Sequence, residues 1–422
     1  MTTYGRSPWL EQFPRSRVRS FPRLREPLTT DVAIIGGGLT GCATAYALAA
    51  AGVKVVLLEA GQVGRSSSAA AFGWLSETPE TSFHALEQAS GLRAARRAWQ
   101  AWRRAALDCT ALLRRLDVKC ALTPQQTVWL ARTPEQAAAL RREAKARRAA
   151  GLDAVLLDAG KARQASGVDA LAGLRTRDGG AIDPYRATIG LAAAADARGA
   201  RIFEGAAVTK TRAGARTVDV VTADATVTAY RVVVATGRPT ELFRPLARHV
   251  KVAQTYFALT APVPARIRRS LAASTALPVS AGAQPATPAV VTRDLAEPPH
   301  VVRWVDGDRV LVSGADGPLV PERSREKVIV QRTGQLMYEL STLYPEISGL
   351  APANGWHAVY GATADGLPFI GPHRNFPRHL FAFGGGAHSS TEAYLASRIL
   401  LRHYLGETDA VDEVFGFTRV TA

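Results

Sequence analysis

Residues 31–59 constrain this chain more than any other stretch. "DVAIIGG" is a short β-branched strand running into glycines, "LTGCATAYALAAAG" has helical composition and ends at Gly52, and "VKVVLLE" is a second strand. Strand, helix and strand in this order form the βαβ unit that builds a parallel sheet. Gly36, Gly38 and Gly41 stand in G-x-G-x-x-G spacing between the first strand and the helix. The first permits a tight turn, the second lets main-chain N–H groups approach a pyrophosphate, and the third lets the helix pack closely on the sheet. Glu59 closes the second strand, where a carboxylate can meet the adenosine ribose hydroxyls. The unit predicts dinucleotide binding by Gly36, Gly38, Leu39, Thr40, Gly41 and Glu59. On this motif alone, nicotinamide and flavin dinucleotides both stay open.

A membrane anchor is the competing reading of the same stretch, because no residue from Val32 to Val53 is charged and "RSRVRSFPRLR" precedes it. The run "GGGLTG" breaks a spanning helix, so no transmembrane segment is expected. The net charge of +16 comes from Arg far more than Lys. The basic stretches "RAARRAWQAWRRAALDCTALLRR" and "LRREAKARR" read as solvated helix faces, so no nucleic-acid partner is expected. Cys42, Cys109 and Cys120 form no C-x-x-C pair and no Cys/His cluster. That usage predicts a reducing, cytoplasmic compartment and no metal site.

Further along, residues 1–28 are rich in Pro and Arg and read as a surface arm. "GQVGRSSSAAAFGWL" is a small-residue loop whose backbone can approach a cofactor, with Ser66 and Ser67 as candidates. Residues 83–116 and 134–150 are helical in pattern, "ALTPQQTVWLAR" suggests strands with a turn, and 250–315 holds several β-like runs that suggest an antiparallel sheet. "AYRVVVATG" is a buried strand, and "HLFAFGGGAHSSTEAYLASRILLRHYLG" is a strand, a glycine turn and a helix. The expected fold is α/β: a Rossmann-type dinucleotide-binding domain (29–82, 151–245 and 353–422) interleaved with an α+β substrate domain on an antiparallel sheet (83–150 and 246–352).

From Asp31 to about Leu405 the chain resembles the FAD-dependent amine and amino-acid oxidoreductases, a family that includes D-amino-acid oxidase, glycine oxidase and sarcosine oxidase. The resemblance is carried by "DVAIIGGGLTG" with Glu59, "GGAIDPYR", "VVVATG", "GATADGLPFIGP" and "FAFGGGAHSS", and the look is closest to members similar to gamma-glutamylputrescine oxidoreductase. It implies FAD as the cofactor. It implies that Val208 meets the adenine, and that Ala235, Thr236 and Gly237 pass under the dinucleotide. Asp365, Gly366 and Leu367 are then expected at the flavin end, with Gly386, His388, Ser389 and Ser390 near the isoalloxazine. A helix N-terminus aimed at the flavin would favour the negative charge of its reduced form. Relatives that attach flavin covalently use a Cys in the C-terminal half. All three Cys here precede residue 121, so the FAD is expected to be non-covalent.

The sequence also departs from the family. "SSSAAAF" puts Ala70 where relatives often carry a polar side chain, and Ser389 replaces the glycine that usually follows the histidine. No Lys lies between Lys251 and Lys327, where related oxidases place one to assist oxygen reduction.

The implied reaction is oxidation of a C–N bond in a small amine or amino acid, with hydride passing to flavin and the resulting imine then hydrolysed. The electrons would go on to oxygen, a quinone or a redox protein. Candidate catalytic residues are His388, Arg303 in "HVVRWVDG" as a carboxylate partner, and Tyr256 on a neighbouring strand. Alternative readings are a flavin-binding subunit of a multi-component dehydrogenase and a flavin hydroxylase.

Overall fold

The computed structural model describes residues 2–274, 289–407 and 409–419. The chain opens with β1 (Thr3–Tyr4), α1 (Pro8–Glu11), β2 (Leu28–Ile35), α2 (Leu39–Ala50), β3 (Val55–Leu58), α3 (Ser67–Ala70) and β4 (Trp74–Leu75). It continues through α4 (Phe83–Ser90), α5 (Leu92–Arg115), β5 (Thr123–Ala131), α6 (Pro134–Ala149), β6 (Val155–Asp158), α7 (Ala159–Ser166), β7 (Ala172–Ala181) and α8 (Pro184–Asp196). Next come β8 (Arg201–Phe203), β9 (Val208–Ala213), β10 (Val218–Thr222), β11 (Thr226–Gly237), β12 (Lys251–Thr260) and α9 (Ala265–Ser274). The last elements are β13 (Val290–Asp294), β14 (Val301–Val305), β15 (Arg309–Gly317), α10 (Glu322–Leu343), β16 (Pro352–Ala362), β17 (Phe369–His373), β18 (Phe376–Phe383), α11 (Thr391–Leu405) and α12 (Ala410–Phe415).

Two sheets organise these elements. The first has eight strands, in the order β17-β18-β11-β2-β3-β8 with β9 and β10 continuing from β11. Its central strands β18, β11, β2, β3 and β8 are parallel. Strand β3 is buried along its whole length, as a near-continuous apolar run in a parallel sheet must be. The second sheet has ten strands in the order β1-β16-β12-β15-β14-β13-β5-β7-β4, with β6 on β7. It is antiparallel except at β1–β16 and β13–β5.

Alternation along the ten-stranded sheet decides what each face meets. Phe257, Leu259, Val291, Val301, Leu311 and Trp356 point into the core shared with α2, α5 and α11. Their neighbours Tyr256, Ala258, Val302, Trp304 and Val312 point the other way, onto α10. The first of these is the inner face, and it looks toward the nucleotide-binding half.

The structure moves several expected boundaries. The 83–116 helical pattern is two helices, broken at Gly91 (φ +81). The arm is anchored rather than loose: β1 pairs with β16, and Trp9, Phe21 and Leu24 are buried. "ALTPQQTVWLAR" is one strand, β5. Strands β6 and β7 (within 151–245) and nearly all of β16 (within 353–422) belong to the ten-stranded sheet. The basic stretch of α5 is its solvent face, opposite buried Trp99, Trp102, Cys109 and Leu112. Among the described residues no helix is long and apolar enough to cross a membrane, and no group of His, Cys, Asp and Glu is arranged to hold a metal. The three cysteines are buried and unpaired, and burial pushes the Cys42 thiol far above its ordinary value, which makes it unreactive.

Candidate active site

The turn where the adenosine end of a dinucleotide is expected is built from absent side chains. Gly36 sits at φ +110, and a Cβ there would stand 2.7 Å from the Ala235 carbonyl oxygen. A Cβ on Gly41 would stand 1.9 Å from the Gly36 carbonyl oxygen. The turn and the helix therefore fit only without side chains at these positions. Gly38 precedes the first residue of α2, and the Leu39 N–H donates to Ser68 Oγ at 2.8 Å. Thr40 lies in the first turn, where its carbonyl accepts from Thr44 Oγ1 at 2.7 Å. Glu59 ends next to this turn. Its Oε2 accepts from Gly37 N–H at 2.7 Å and its Oε1 from Gly61 N–H at 2.8 Å.

From here a cleft of about 510 Å³ runs along Ser66, Ser67, Ala70, Thr236, Thr240 and His357. Ala235 is buried, Thr236 donates to the Arg238 carbonyl at 2.8 Å, and the Gly237 carbonyl accepts from Gly384 N–H at 3.0 Å. Val208, half-buried, opens β9.

The far end is built from side chains that grip main chain. The carboxylate of Glu80 lies against the N-terminus of α11, where Oε1 accepts from the N–H groups of His388 at 2.8 Å and Ser389 at 3.0 Å. Its Oε2 lies 3.1 Å from His388 Nδ1. Burial alone would raise the Glu80 carboxyl. The His388 charge, its ring hydrogen bond and the two main-chain donors outweigh burial and hold it at about 2. Burial likewise disfavours the His388 imidazolium, but the Glu80 charge and hydrogen bond keep its pKa above the ordinary value.

His388 is 3% exposed, and its Nε2 is buried with no hydrogen-bond partner among the described residues. Such an orphaned atom is costly unless something else meets it. Ser390 N–H donates to the Trp74 carbonyl at 2.7 Å, which ties the helix start to β4. Gly386, at φ +84, faces Glu80, where a Cβ would stand 3.0 Å from Oε1. Glu392, in the first turn of α11, packs its carboxyl onto Gly385, and burial with the Glu80 charge pushes it up to about 8.

The turn before β17 is locked from outside. Asp365 pairs with Arg419 at 2.8 Å and accepts from Leu367 N–H at 3.1 Å. Arg419 also donates to the Pro368 and Leu367 carbonyls. A Cβ on Gly366 would stand 2.8 Å from Thr81 Cβ, so this turn packs against the segment that carries Glu80.

Arg303 and Tyr256 face opposite sides of the ten-stranded sheet. Arg303 does point inward, but its guanidinium is taken by main chain. Nε and Nη2 donate to the Phe72 carbonyl at 3.1 and 2.9 Å, and Nη2 donates to the Ile182 carbonyl at 3.1 Å. Tyr256 faces α10 on the outer side of the sheet, with Arg332 5.9 Å from its ring, because strand alternation puts Phe257 on the inner face. The residues missed by sequence reasoning are Glu80, Glu392, Arg293 and Arg419. No spacing rule marks them, since each acts through a contact with a distant part of the chain.

The glycine cradle with Glu59 and the unpartnered His388 Nε2 at the other end fit FAD. The sequence model of the FAD dependent oxidoreductase (DAO) family matches residues 31–402, and the chain belongs to that family, whose cofactor is FAD. It is 32% identical to gamma-glutamylputrescine oxidoreductase of Escherichia coli (strain K12) over 217 residues, a match that spans about half of each protein (51% of this chain and 50% of the relative). It is 26% identical to glycine oxidase of Geobacillus kaustophilus (strain HTA426) over 361 residues, covering 84% of this chain and 87% of that one. The crystal structure of glycine oxidase from Geobacillus kaustophilus superposes with a TM-score of 0.75 at 20% identity, covering 94% of this chain and all of that one. The protein is therefore an FAD-dependent oxidoreductase with the glycine-oxidase fold.

Proposed function

We propose that the protein oxidises the C–N bond of a small amine or amino acid, giving an imine that water hydrolyses. The observation that carries this reading is Arg293. It follows Val291 by two on β13 and so faces inward. Its guanidinium lies 4.6 Å from the Trp129 ring centroid and has no hydrogen bond or ion pair among the described residues. Burial lowers its pKa while the Glu80 and Asp294 charges act the other way, and its own charge in turn lowers that of His388. An unpaired guanidinium beside the Glu80–His388 pair can take a substrate carboxylate bidentately, the part that Arg303 cannot play.

The hydride acceptor for the carbon next to nitrogen would be supplied by FAD when it is bound. The chain's own contribution is positional and electrostatic. His388 Nε2 can donate to a bound group once the ring is protonated. Glu392, at about 8, holds a proton on its carboxyl at neutral pH. The inner apolar face, with Phe72 and Phe257 stacked at 6.4 Å, excludes water from the reacting atoms.

The test is anaerobic mixing of the purified yellow protein with a panel of amines and amino acids. Bleaching of the flavin by a member of the panel supports the reading. Full retention of the oxidised spectrum across the panel would favour a flavin-binding subunit that acts only with a partner. The acceptor is read from reoxidation. No Lys lies between Lys251 and Lys327, so that segment offers no ammonium to support oxygen reduction, and its unpaired guanidinium, Arg293, is given to the substrate carboxylate. A quinone should therefore outpace oxygen by about tenfold, or roughly 1.4 kcal/mol in barrier. Stopped-flow mixing of pre-reduced protein with each acceptor decides it.

A further inference from the structure

The small-residue loop beside the cleft is held from behind. Five consecutive carbonyls, Ala69 to Gly73, accept hydrogen bonds from outside the loop. Ser7 Oγ donates to Ala69, Trp356 Nε1 to Ala70 at 3.0 Å and Trp9 Nε1 to Ala71 at 2.9 Å. Arg303 donates to Phe72, and Ile182 N–H donates to Gly73 at 2.9 Å. Ser7, Trp9, Arg303 and Trp356 are all buried. The Arg303 guanidinium lies 5.2 Å from the Trp9 ring centroid and 5.5 Å from that of Phe72, so the donors brace one another.

The loop itself has little to hold it. Its side chains from Ser66 to Ala71 are only serines and alanines, which allow close approach to a ligand, and the side-chain anchor among them is Ser68 Oγ on the Leu39 N–H. A loop left to order itself on binding loses affinity to conformational entropy, whereas one fixed beforehand does not. We infer that the N-terminal arm, through Ser7 and Trp9, is a positioning device for the cofactor, fixing the loop that presents Ser66 and Ser67 to the cleft. The inference rests on the reading that these serines face FAD.

The experiment compares full-length wild type with Trp9→Phe and with the Ser7→Ala/Trp9→Phe double variant. Phenylalanine keeps a ring against Arg303 and removes the indole donor, with a modest loss of ring volume that the apo thermal midpoint registers. Apo-protein is titrated with FAD by fluorescence quenching, and its thermal midpoint without FAD is measured alongside. The double variant is expected to bind FAD about tenfold more weakly, from two lost hydrogen bonds to buried carbonyls that fix the loop. Trp9→Phe should fall in between. If both variants bind FAD as wild type does, whatever their apo midpoints, the inference is overturned and the arm merely supports the fold. If the double variant fails to fold, Ser7→Ala alone, which loses one hydroxyl and little packing, gives the same comparison. Wild type that binds no FAD would instead overturn the cofactor reading, and the inference with it.

Discussion

The two ends of the site are made by opposite means. At the glycine turn the closest contacts are main chain meeting main chain, and they depend on missing Cβ atoms at Gly36 and Gly41, with Glu59 and Ser68 holding the N–H groups around them. At the flavin end they are long side chains gripping main chain, with Glu80 on the N–H groups of His388 and Ser389 and Arg303 on the carbonyls of Phe72 and Ile182. Close packing of backbone on backbone tolerates no addition. A side-chain grip can be loosened one contact at a time.

The sharpest break of this contrast is Gly41→Ala. The added methyl would sit 1.9 Å from a carbonyl oxygen of the Gly36 turn, and no side-chain rotation relieves a clash with backbone. We expect a loss of at least about 4 kcal/mol in stability together with all bound flavin, read by urea denaturation and by flavin content. Gly38→Val should behave differently. The Cβ at that position meets only Ser68 Oγ, at 3.2 Å, a side chain that can turn. Secondary structure by circular dichroism should survive while FAD is lost, because the valine crowds the approach of the pyrophosphate.

A smaller effect tests the other end. Arg303→Met strands the Phe72 and Ile182 carbonyls in the core and should cost roughly 2–4 kcal/mol. Lysine should rescue it poorly, since one ammonium cannot span both carbonyls with the fork of a guanidinium. Arg293→Met removes a guanidinium that no described group pairs with, so the melting point should hardly move. KM for a carboxylate-bearing substrate should rise on the order of tenfold or more. If Arg293→Met destabilises and Arg303→Met raises only KM, the two arginines have been assigned the wrong way round.

The contrast also explains what was legible in the sequence. The βαβ unit could be read because its glycines, strand and acid fall within 29 residues at spacings fixed by turn geometry. The antiparallel sheet could be read from period-two alternation in "KVAQTYFALT" and "PHVVRWV". Alternation names two faces without saying which one is inner, and in β12 Phe257 takes the inner position while Tyr256 takes the outer one. Glu80 could not be read at all. It meets His388 across 308 residues of chain, and its local sequence "SETPET" is ordinary loop composition. Trp9 and Ser7 were hidden for the same reason, since an arm rich in Pro and Arg looks solvated until its partners, the carbonyls of Ala69 and Ala71, are known.

The smallest effect is the most informative about charge. In Glu80→Gln the amide oxygen can stand where Oε1 stands and keep both main-chain N–H bonds, because His388 and Ser389 donate to that same atom. The amide NH₂ then replaces Oε2 and presents a donor to His388 Nδ1, which must become the acceptor and leave the ring proton on Nε2. The imidazolium loses its counter-charge, so the His388 pKa should fall below its wild-type value, as an NMR titration of the ring would show. The sign of the stability change follows from the two shifts. His388 is raised in the folded state, so its contribution is complete below about 6.5 and fades as pH rises through its folded value. Glu80 is lowered to about 2, so its contribution is complete above its ordinary range near 4.5 and fades as pH falls toward 2. The pair therefore stabilises most between about pH 4.5 and 6.5. There wild type should exceed Glu80→Gln by about 1 kcal/mol, and the gap should close as pH rises through the His388 titration. A gap that stayed constant from pH 5 to 9 would mean that Glu80 acts on α11 through its two main-chain hydrogen bonds alone, with no charge on His388.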